Sequence, residues 1–147
     1  MKISYQAFAK IKDFEGYSRK AYKCPAGVWT IAHGHTKGVK PGDTVTSVEA
    51  EHLLKKDLIE FEAFVDKLGV TSQQNRFDAL VDFAFNLGCA ALENSTLLKK
   101  IRACRPDAEI REEFMKWVYA RVGGEKKKLP GLVARRKWEA DRFFNKI

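Results

Sequence analysis

The sequence has few cysteines and no long apolar run, and each scarcity excludes a class of protein. Its 147 residues include three cysteines, Cys24, Cys89 and Cys104, an odd set without the spacing of a disulfide framework. We therefore expect all three thiols to be reduced. The N-terminal residues MKISYQAFAKIKDFEG are interrupted by lysine and aspartate, so we expect neither a signal peptide nor a membrane anchor.

Histidine is also scarce, and its three residues give little support for a metal site. His33 and His35 are two positions apart, whereas His52 lies in a different predicted helix without a supporting cysteine or carboxylate cluster. Because zinc takes three or four ligands, we predict no metal site, and we predict no cofactor.

The charge balance is one-sided. Lysine and arginine total 27 against 19 acidic residues, which gives a formal net charge of +8. Such a charge favours a polyanionic partner, and nucleic acid, an anionic lipid surface and an acidic cell wall all satisfy it. Since no zinc-finger or RNA-binding signature is present, we expect no nucleic-acid partner. A solvated face is expected for the basic residues Lys126–Lys128, Arg135, Arg136 and Lys137. The alternative is that they hold the protein on anionic peptidoglycan or lipopolysaccharide.

Helical periodicity and capping residues predict that most of the chain is helical. The first helix should begin after Ser4 and end at Gly16. Thr46 and Glu49 read as a capping box that opens a long helix ending near Leu68.

Further helices are predicted in the second half of the chain. A second capping box, Thr71–Gln74, should open an apolar helix through Leu87. Three more are predicted at about 96–104, after Pro106 and from Pro130 to about Phe144, and an exposed loop is predicted around Gly123, Gly124 and the lysine run.

A β-hairpin is predicted between the first two helices. The segments AYKC and VWTIA flank the turn residues Pro25-Ala26-Gly27. With these three residues as the loop, Cys24 faces Val28 and Tyr22 faces Thr30. Because strand side chains alternate, a thiol and a hydroxyl then lie on one face of the hairpin.

These elements predict a single α+β domain over residues 1–147, mostly helical, with one sizeable core. We expect a small N-terminal lobe at about 1–46 that carries the hairpin, a connecting helix at about 47–68, and an all-helical C-terminal lobe at about 71–147.

Four segments together resemble one family. Glu15, Cys24 and Thr30 have the spacing of the catalytic residues of the phage lysozyme family, glycoside hydrolase family 24. TIAHGHT is similar to that family's TIGYGHT, RFDALVDFAFNLG to its QFDALVSFAFNxG, and LPGLVARRKWEADRF to its GLxxRRxxE. The resemblance covers nearly the whole chain and is strongest to endolysins of lambdoid-type phages, with T-even phage lysozyme more distant. It implies a lysozyme-like fold.

The resemblance also implies roles for five residues. Glu15 stands at the place of the general acid, and the negative end of a helix beside it would favour its protonated form. Cys24 replaces the usual aspartate as base or nucleophile, and Thr30 would position water. Thr36 and Phe85 stand at positions that contact the saccharide, although a core role fits Phe85 equally well. Whether the sugar product is inverted or retained is left open by the thiol.

By this resemblance the protein is a muramidase that cleaves the β-1,4 bond between N-acetylmuramic acid and N-acetylglucosamine in peptidoglycan. It would act as a monomer in host lysis, remaining in the bacterial cytoplasm until a separate pore-forming protein opens the membrane to the periplasmic wall. The alternative is a basic protein that disrupts membranes without catalysis.

Overall fold

The computed structural model describes residues 1–146, which form seven helices and two antiparallel hairpins. The elements, in chain order, are α1 (Tyr5–Glu15), β1 (Ser18–Lys23), β2 (Trp29–Ala32), α2 (Ser47–Leu68), α3 (Gln74–Leu87), α4 (Cys89–Glu93), α5 (Thr96–Arg102), α6 (Asp107–Phe114), β3 (Tyr119–Val122), β4 (Glu125–Lys128) and α7 (Pro130–Phe143). The predicted α+β class is confirmed. The described residues divide into two compact units, residues 8–60 and residues 1–7 with 61–146. None of the helices in the described part is long and apolar enough to cross a membrane.

Both predicted ends of α1 are confirmed. The Ser4 hydroxyl accepts a hydrogen bond from the backbone N–H of Ala7 at 3.1 Å, as an N-cap does. At the other end the Gly16 N–H donates to the Lys12 carbonyl at 2.9 Å, which satisfies one of the last carbonyls of the helix. Glu15 is therefore the last residue of the helix.

The first hairpin has the predicted register. Tyr22 pairs with Thr30, and the Cys24 N–H donates to the Val28 carbonyl at 3.0 Å. Strand β2 is the buried strand, because Ile31 and Ala32 form an apolar cluster with Ala50 of α2. Burial of this strand fixes which face of the hairpin is solvated.

The first capping box is confirmed and the second is wrong. The Glu49 N–H donates to the Thr46 hydroxyl at 3.1 Å, and the Thr46 N–H donates to the Glu49 carboxylate at 3.0 Å. At α3 the N-cap residue is Gln73, which makes no side-chain cap. The Gln74 side chain instead donates to the Asp78 carboxylate at 2.8 Å and to the Lys2 carbonyl at 2.9 Å.

The prediction of an all-helical segment after residue 71 is wrong in one place. Residues 119–128, which include the exposed loop predicted around Gly123, Gly124 and the lysine run, form the hairpin β3–β4 with Tyr119 opposite Lys128 and Arg121 opposite Lys126. Gly123 and Gly124 both have positive φ, 60° and 83°, which is the backbone of a two-residue hairpin turn. A Gly-Gly turn can therefore form a hairpin between flanking segments that lack the alternating apolar pattern typical of strands.

The solvated basic face on α7 is also only partly correct. Arg135 and Arg136 are buried, at 5% and 0% exposure. Arg135 forms an ion pair with buried Asp82 of α3 at 2.7 Å, and Arg136 forms one with buried Glu139 at 2.7 Å. Buried arginines are tolerated because these carboxylates compensate them, so the network joins α7 to α3.

Candidate active site

The Glu15 carboxyl lies against the backbone of Gly34. A Cβ atom placed on Gly34 would be 3.1 Å from Glu15 Oε1, so a side chain at this position would require a small shift of the carboxyl. Gly34 also has a φ of +77°, which side-chain-bearing residues rarely adopt. The glycine is thus required twice, by its own conformation and by the carboxyl beside it.

The turn that carries Gly34 is closed by its own backbone. The Ile31 N–H donates to the His35 carbonyl and the His35 N–H donates to the Ile31 carbonyl, each at 2.9 Å. Ala32 adopts a φ of +59°, an uncommon conformation for a residue with a Cβ atom. The His35 ring is held as well, with Nδ1 at 2.7 Å from the Asp57 carboxylate and Nε2 at 2.9 Å from the Lys37 carbonyl.

The Cys24 thiol is half-buried at the start of the hairpin turn. A hydrogen bond from the backbone of Val28 lowers the pKa of this thiol, and burial partly opposes the effect. Backbone hydrogen bonds from Ala26 and Gly27 and a side-chain hydrogen bond from Thr30 lower the pKa further. The turn therefore stabilises the thiolate, the nucleophilic and basic form of the side chain.

Thr30 is buried, and its hydroxyl serves two acceptors. It donates to the Val28 carbonyl at 3.0 Å, and it is also a hydrogen-bond partner of Cys24. A hydroxyl carries one proton, so it donates to the carbonyl or to the sulfur at any moment. The predicted shared face of Cys24 and Thr30 is therefore formed, and Glu15 belongs to the same unit.

The two neighbouring histidines are engaged with protein groups. The His33 Nδ1 atom lies 2.6 Å from the Gly16 carbonyl, and His35 is bound as described above. Among residues 1–146 there is no group of three or more His, Cys, Asp or Glu side chains with the arrangement of a metal site.

The two predicted saccharide contacts lie in different units. Thr36 is exposed in the unit of residues 8–60. Phe85, in the other unit, is half-buried and packs edge-on against Phe61 with ring centroids 5.3 Å apart. Their contact with a saccharide stays a prediction.

The sequence reasoning missed a pocket in the second unit. It has a volume of about 430 Å³, and buried Glu113 accepts hydrogen bonds from Lys100 at 2.8 Å and from Lys116 at 2.7 Å at its wall. Lys126 lies over the ring of Tyr119, 5.0 Å from its centroid. The lining residues are Leu87, Thr96, Glu113, Lys116, Trp117, Tyr119 and Lys126. In the sequence, the only feature that could have indicated this pocket is the alternation of lysine with Trp117 and Tyr119. An amphipathic helix would produce the same pattern.

Comparison with known proteins gives consistent matches over nearly the full length. The Phage lysozyme family profile matches residues 12–139. An endolysin of Acyrthosiphon pisum secondary endosymbiont phage 1 is 40% identical over 144 residues, covering 97% of this chain and 98% of the relative.

Solved structures agree with the sequence matches. The endolysin from Escherichia coli O157:H7 phage FAHEc1 superposes with a TM-score of 0.91 at 36% identity, covering 100% of this chain and 96% of that one. The muramidase domain of SpmX from Asticaccaulis excentricus superposes with a TM-score of 0.88 at 36% identity, covering 97% of each chain. The lysozyme-like fold is thus confirmed, and the chain belongs to the phage lysozyme family, whose members are glycoside hydrolases.

Proposed function

We propose that the protein is an endolysin that hydrolyses the β-1,4 bond between N-acetylmuramic acid and N-acetylglucosamine of peptidoglycan. Glu15 is the general acid, Cys24 is the base or nucleophile, and Thr30 positions the attacking water. Family membership supports the reaction class. The residue roles rest on the local geometry of residues 8–60.

The observation that carries the proposal is the thiol of Cys24. A free thiol has a pKa of about 8.5, so most of it is protonated at neutral pH. Hydrogen bonds from Val28, from the turn residues and from Thr30 lower the pKa of Cys24. A cysteine that served only as a small apolar filler would not need a turn whose donors converge on its sulfur.

The reaction needs a proton on the leaving oxygen and a nucleophile at the anomeric carbon. The Glu15 carboxyl gives its proton to the glycosidic oxygen as the C–O bond breaks. The Cys24 thiolate then accepts a proton from water while that water attacks, or the sulfur itself attacks and water displaces it later. In the first case the Thr30 hydroxyl, whose proton is donated to the Val28 carbonyl, accepts a hydrogen bond from the attacking water.

The decisive experiment compares the parent with Glu15→Gln on purified peptidoglycan. Mass spectrometry of the digest should show fragments with muramic acid at the reducing end for the parent. Glu15→Gln should lower the rate by about 10²-fold or more, since the amide cannot act as an acid. Asp13→Asn is the matched control, because it removes an exposed carboxylate from the same helix. Full activity of Glu15→Gln would refute the assignment.

The same pair of proteins tests the non-enzymatic alternative. A protein that kills by disrupting membranes would retain its killing of permeable cells after Glu15→Gln and would release no muropeptides. Loss of both properties in this variant supports hydrolysis.

The anomeric outcome separates the two roles of Cys24. NMR of the initial product gives the configuration at the reducing carbon before mutarotation. An inverted product identifies the thiolate as a base that activates water, whereas a retained product identifies a covalent intermediate through sulfur.

We further propose that exposed cations hold the enzyme on the anionic wall polymer. The second hairpin carries Lys126–Lys128, and Lys126 and Lys116 line the pocket beside Trp117 and Tyr119. Aromatic walls suit the sugar and peptide parts of the polymer, while the ammonium groups suit its carboxylates. Thr36 and Phe85 are proposed to contact the saccharide. Binding to sacculi should weaken as salt is raised, and salt-independent binding would contradict this role.

The biological role proposed is host cell lysis by a monomeric enzyme. It would remain in the bacterial cytoplasm until a pore-forming protein permeabilises the membrane, and then act on the periplasmic wall. Expression alone should leave cells intact, and expression together with a pore-forming protein should lyse them. Lysis by expression alone would show that the enzyme reaches the wall unaided.

A further inference from the structure

The backbone that follows Glu15 is held by a histidine that none of the proposed catalytic roles uses. The His33 Nδ1 atom lies 2.6 Å from the carbonyl oxygen of Gly16. Because a carbonyl only accepts hydrogen bonds, Nδ1 must carry the proton and donate it. His33 is 8% exposed, so this bond is shielded from competing water.

Gly16 is thereby fixed at both of its backbone groups. Its N–H donates to the Lys12 carbonyl within α1, and its carbonyl accepts from His33. Glu15 is the residue immediately before it, so the direction in which its side chain leaves the helix depends on these two bonds. A helix end is otherwise prone to fray, since its last carbonyls lack partners.

The neighbour of His33 completes the arrangement. Gly34 lies beside the Glu15 carboxyl: a Cβ atom built on this glycine would be 3.1 Å from Oε1. Both residues lie in the turn closed by the paired hydrogen bonds between Ile31 and His35. One turn therefore lies beside the Glu15 carboxyl and binds the carbonyl of the next residue, Gly16.

The ring of His33 is itself oriented by a second contact. It packs against Tyr17 with centroids 5.4 Å apart and an interplanar angle of 44°. Two restraints, one polar and one aromatic, thus set the ring so that Nδ1 points at Gly16.

We propose that His33 is a positioning residue for Glu15: its Nδ1–H bond to the Gly16 carbonyl, together with the contact from Gly34, sets the direction of the acid for proton donation. This rests on the proposed role of Glu15. His33 does not contact the substrate in this proposal and transfers no proton.

Two variants separate the hydrogen bond from the bulk of the ring. His33→Phe keeps a flat ring against Tyr17 and removes the donor. His33→Asn removes the ring and keeps an N–H donor at the position of Nδ1. His33→Phe should lower kcat about tenfold with KM changed less than about twofold, because misplacement of the acid affects the transition state more than substrate binding. His33→Asn should recover most of kcat.

Circular dichroism and thermal melting give the folded fraction of each variant. Each kcat is divided by this fraction before the variants are compared. Equal kcat losses in both variants, or losses that vanish after normalisation, would show that the ring has only a packing role and would overturn the proposal. A change confined to KM would overturn it as well.

Gly34→Ala supplies an independent arm. It should lower kcat, and combining it with His33→Phe should cost less than the product of the two separate effects, because both disturb the same carboxyl. Strictly multiplicative effects would overturn the proposal. Glu15→Gln distinguishes a failure of the proposed function from a failure of the role of His33. If Glu15→Gln retains activity, the proposed function is wrong. If Glu15→Gln is inactive and His33→Phe is fully active, only the role of His33 is wrong.

Discussion

The two hairpins of this protein have opposite relations to the solvent. In the first, strand β2 is buried by Ile31 and Ala32 against Ala50, and its partner strand carries the chain to Cys24. In the second, strand β4 is exposed at every residue and three of its four residues are lysine. The first is fixed by apolar contacts on one face, whereas the second is held by its turn, its ladder and the contact of Lys126 with the Tyr119 ring.

This difference shows which tasks each hairpin can perform. Groups that must meet at fixed distances, such as the Cys24 sulfur and the Thr30 hydroxyl, need a buried strand to set the register. Attraction to a charged polymer acts over several ångströms and tolerates a mobile surface. Arg121 opposite Lys126 even opposes pairing of the second hairpin, since like charges face each other across the strands. The expected variant effects follow the same division.

The largest effect is expected at the sulfur of the first hairpin. Cys24→Ala should lower kcat by about 10²- to 10⁴-fold, whereas Cys24→Asp should retain much of the activity. Initial rates on peptidoglycan from pH 4 to 9 provide the measurement. The lowered pKa of Cys24 places the loss of parent activity at a lower pH than for a free thiol, because the thiolate is lost as pH falls through that pKa. In Cys24→Asp the loss should move to still lower pH.

Cys104→Ala is the matched control, because it removes an exposed cysteine elsewhere in the chain. Parent-like activity of Cys24→Ala at every pH would remove Cys24 from the mechanism.

The next effect is expected at the hydroxyl of the same hairpin. Thr30→Val should lower kcat by about tenfold and move the acid limb of the pH profile upward, because the thiolate loses a hydrogen bond. Stability should change little, since the Val28 carbonyl keeps its hydrogen bond from Cys24. Thr30→Ser restores the hydroxyl and should restore the rate. A Thr30→Ser variant as slow as Thr30→Val would attribute the effect to packing.

A smaller effect is expected from the cations of the second hairpin. Changing Lys126, Lys127 and Lys128 to Gln should weaken binding to sacculi by about fivefold at low salt and leave the melting temperature nearly unchanged. Sedimentation of the enzyme with sacculi measures the affinity. The same charge change at Lys55, Lys56 and Lys67 of α2 is the control. Equal losses in both triple variants would mean that net charge, and not the hairpin, governs binding.

The smallest effect is expected from backbone strain in the two turns. Ala32 has a φ of +59°, so Ala32→Gly should relieve strain and change the unfolding free energy by about 0.5 to 1 kcal/mol in the stabilising direction. Gly124→Ala, at a φ of +83°, should destabilise by about 1 kcal/mol. Chemical denaturation measures both. Destabilisation by Ala32→Gly would show that its Cβ packing outweighs the strain.

Local chemistry accounts for the features that the sequence predicted correctly. The cap at Ser4, the box of Thr46 with Glu49, and the register of Cys24 with Val28 each involve residues only a few positions apart. Such short-range preferences survive folding because no distant partner competes for the same atoms.

Long-range partners account for the errors. The arginines of α7 were expected on a solvated face, yet in the folded chain Arg135 pairs with Asp82 and Arg136 donates to Asn86, both in α3 and distant in sequence. Gln74 was expected to cap its helix and bonds the Lys2 carbonyl instead. The lysine run carries no apolar alternation, so the strand β4 was indistinguishable from a loop.

The sequence by itself determined the family, the class of fold and the presence of an acid, a thiol and a hydroxyl at fixed spacing. Only the tertiary structure decided that Gly34 lies beside the Glu15 carboxyl and that His33 binds the Gly16 carbonyl. The reason is physical: spacing along a strand fixes which side chains share a face, whereas approach between turn and helix depends on packing between segments that are distant in sequence.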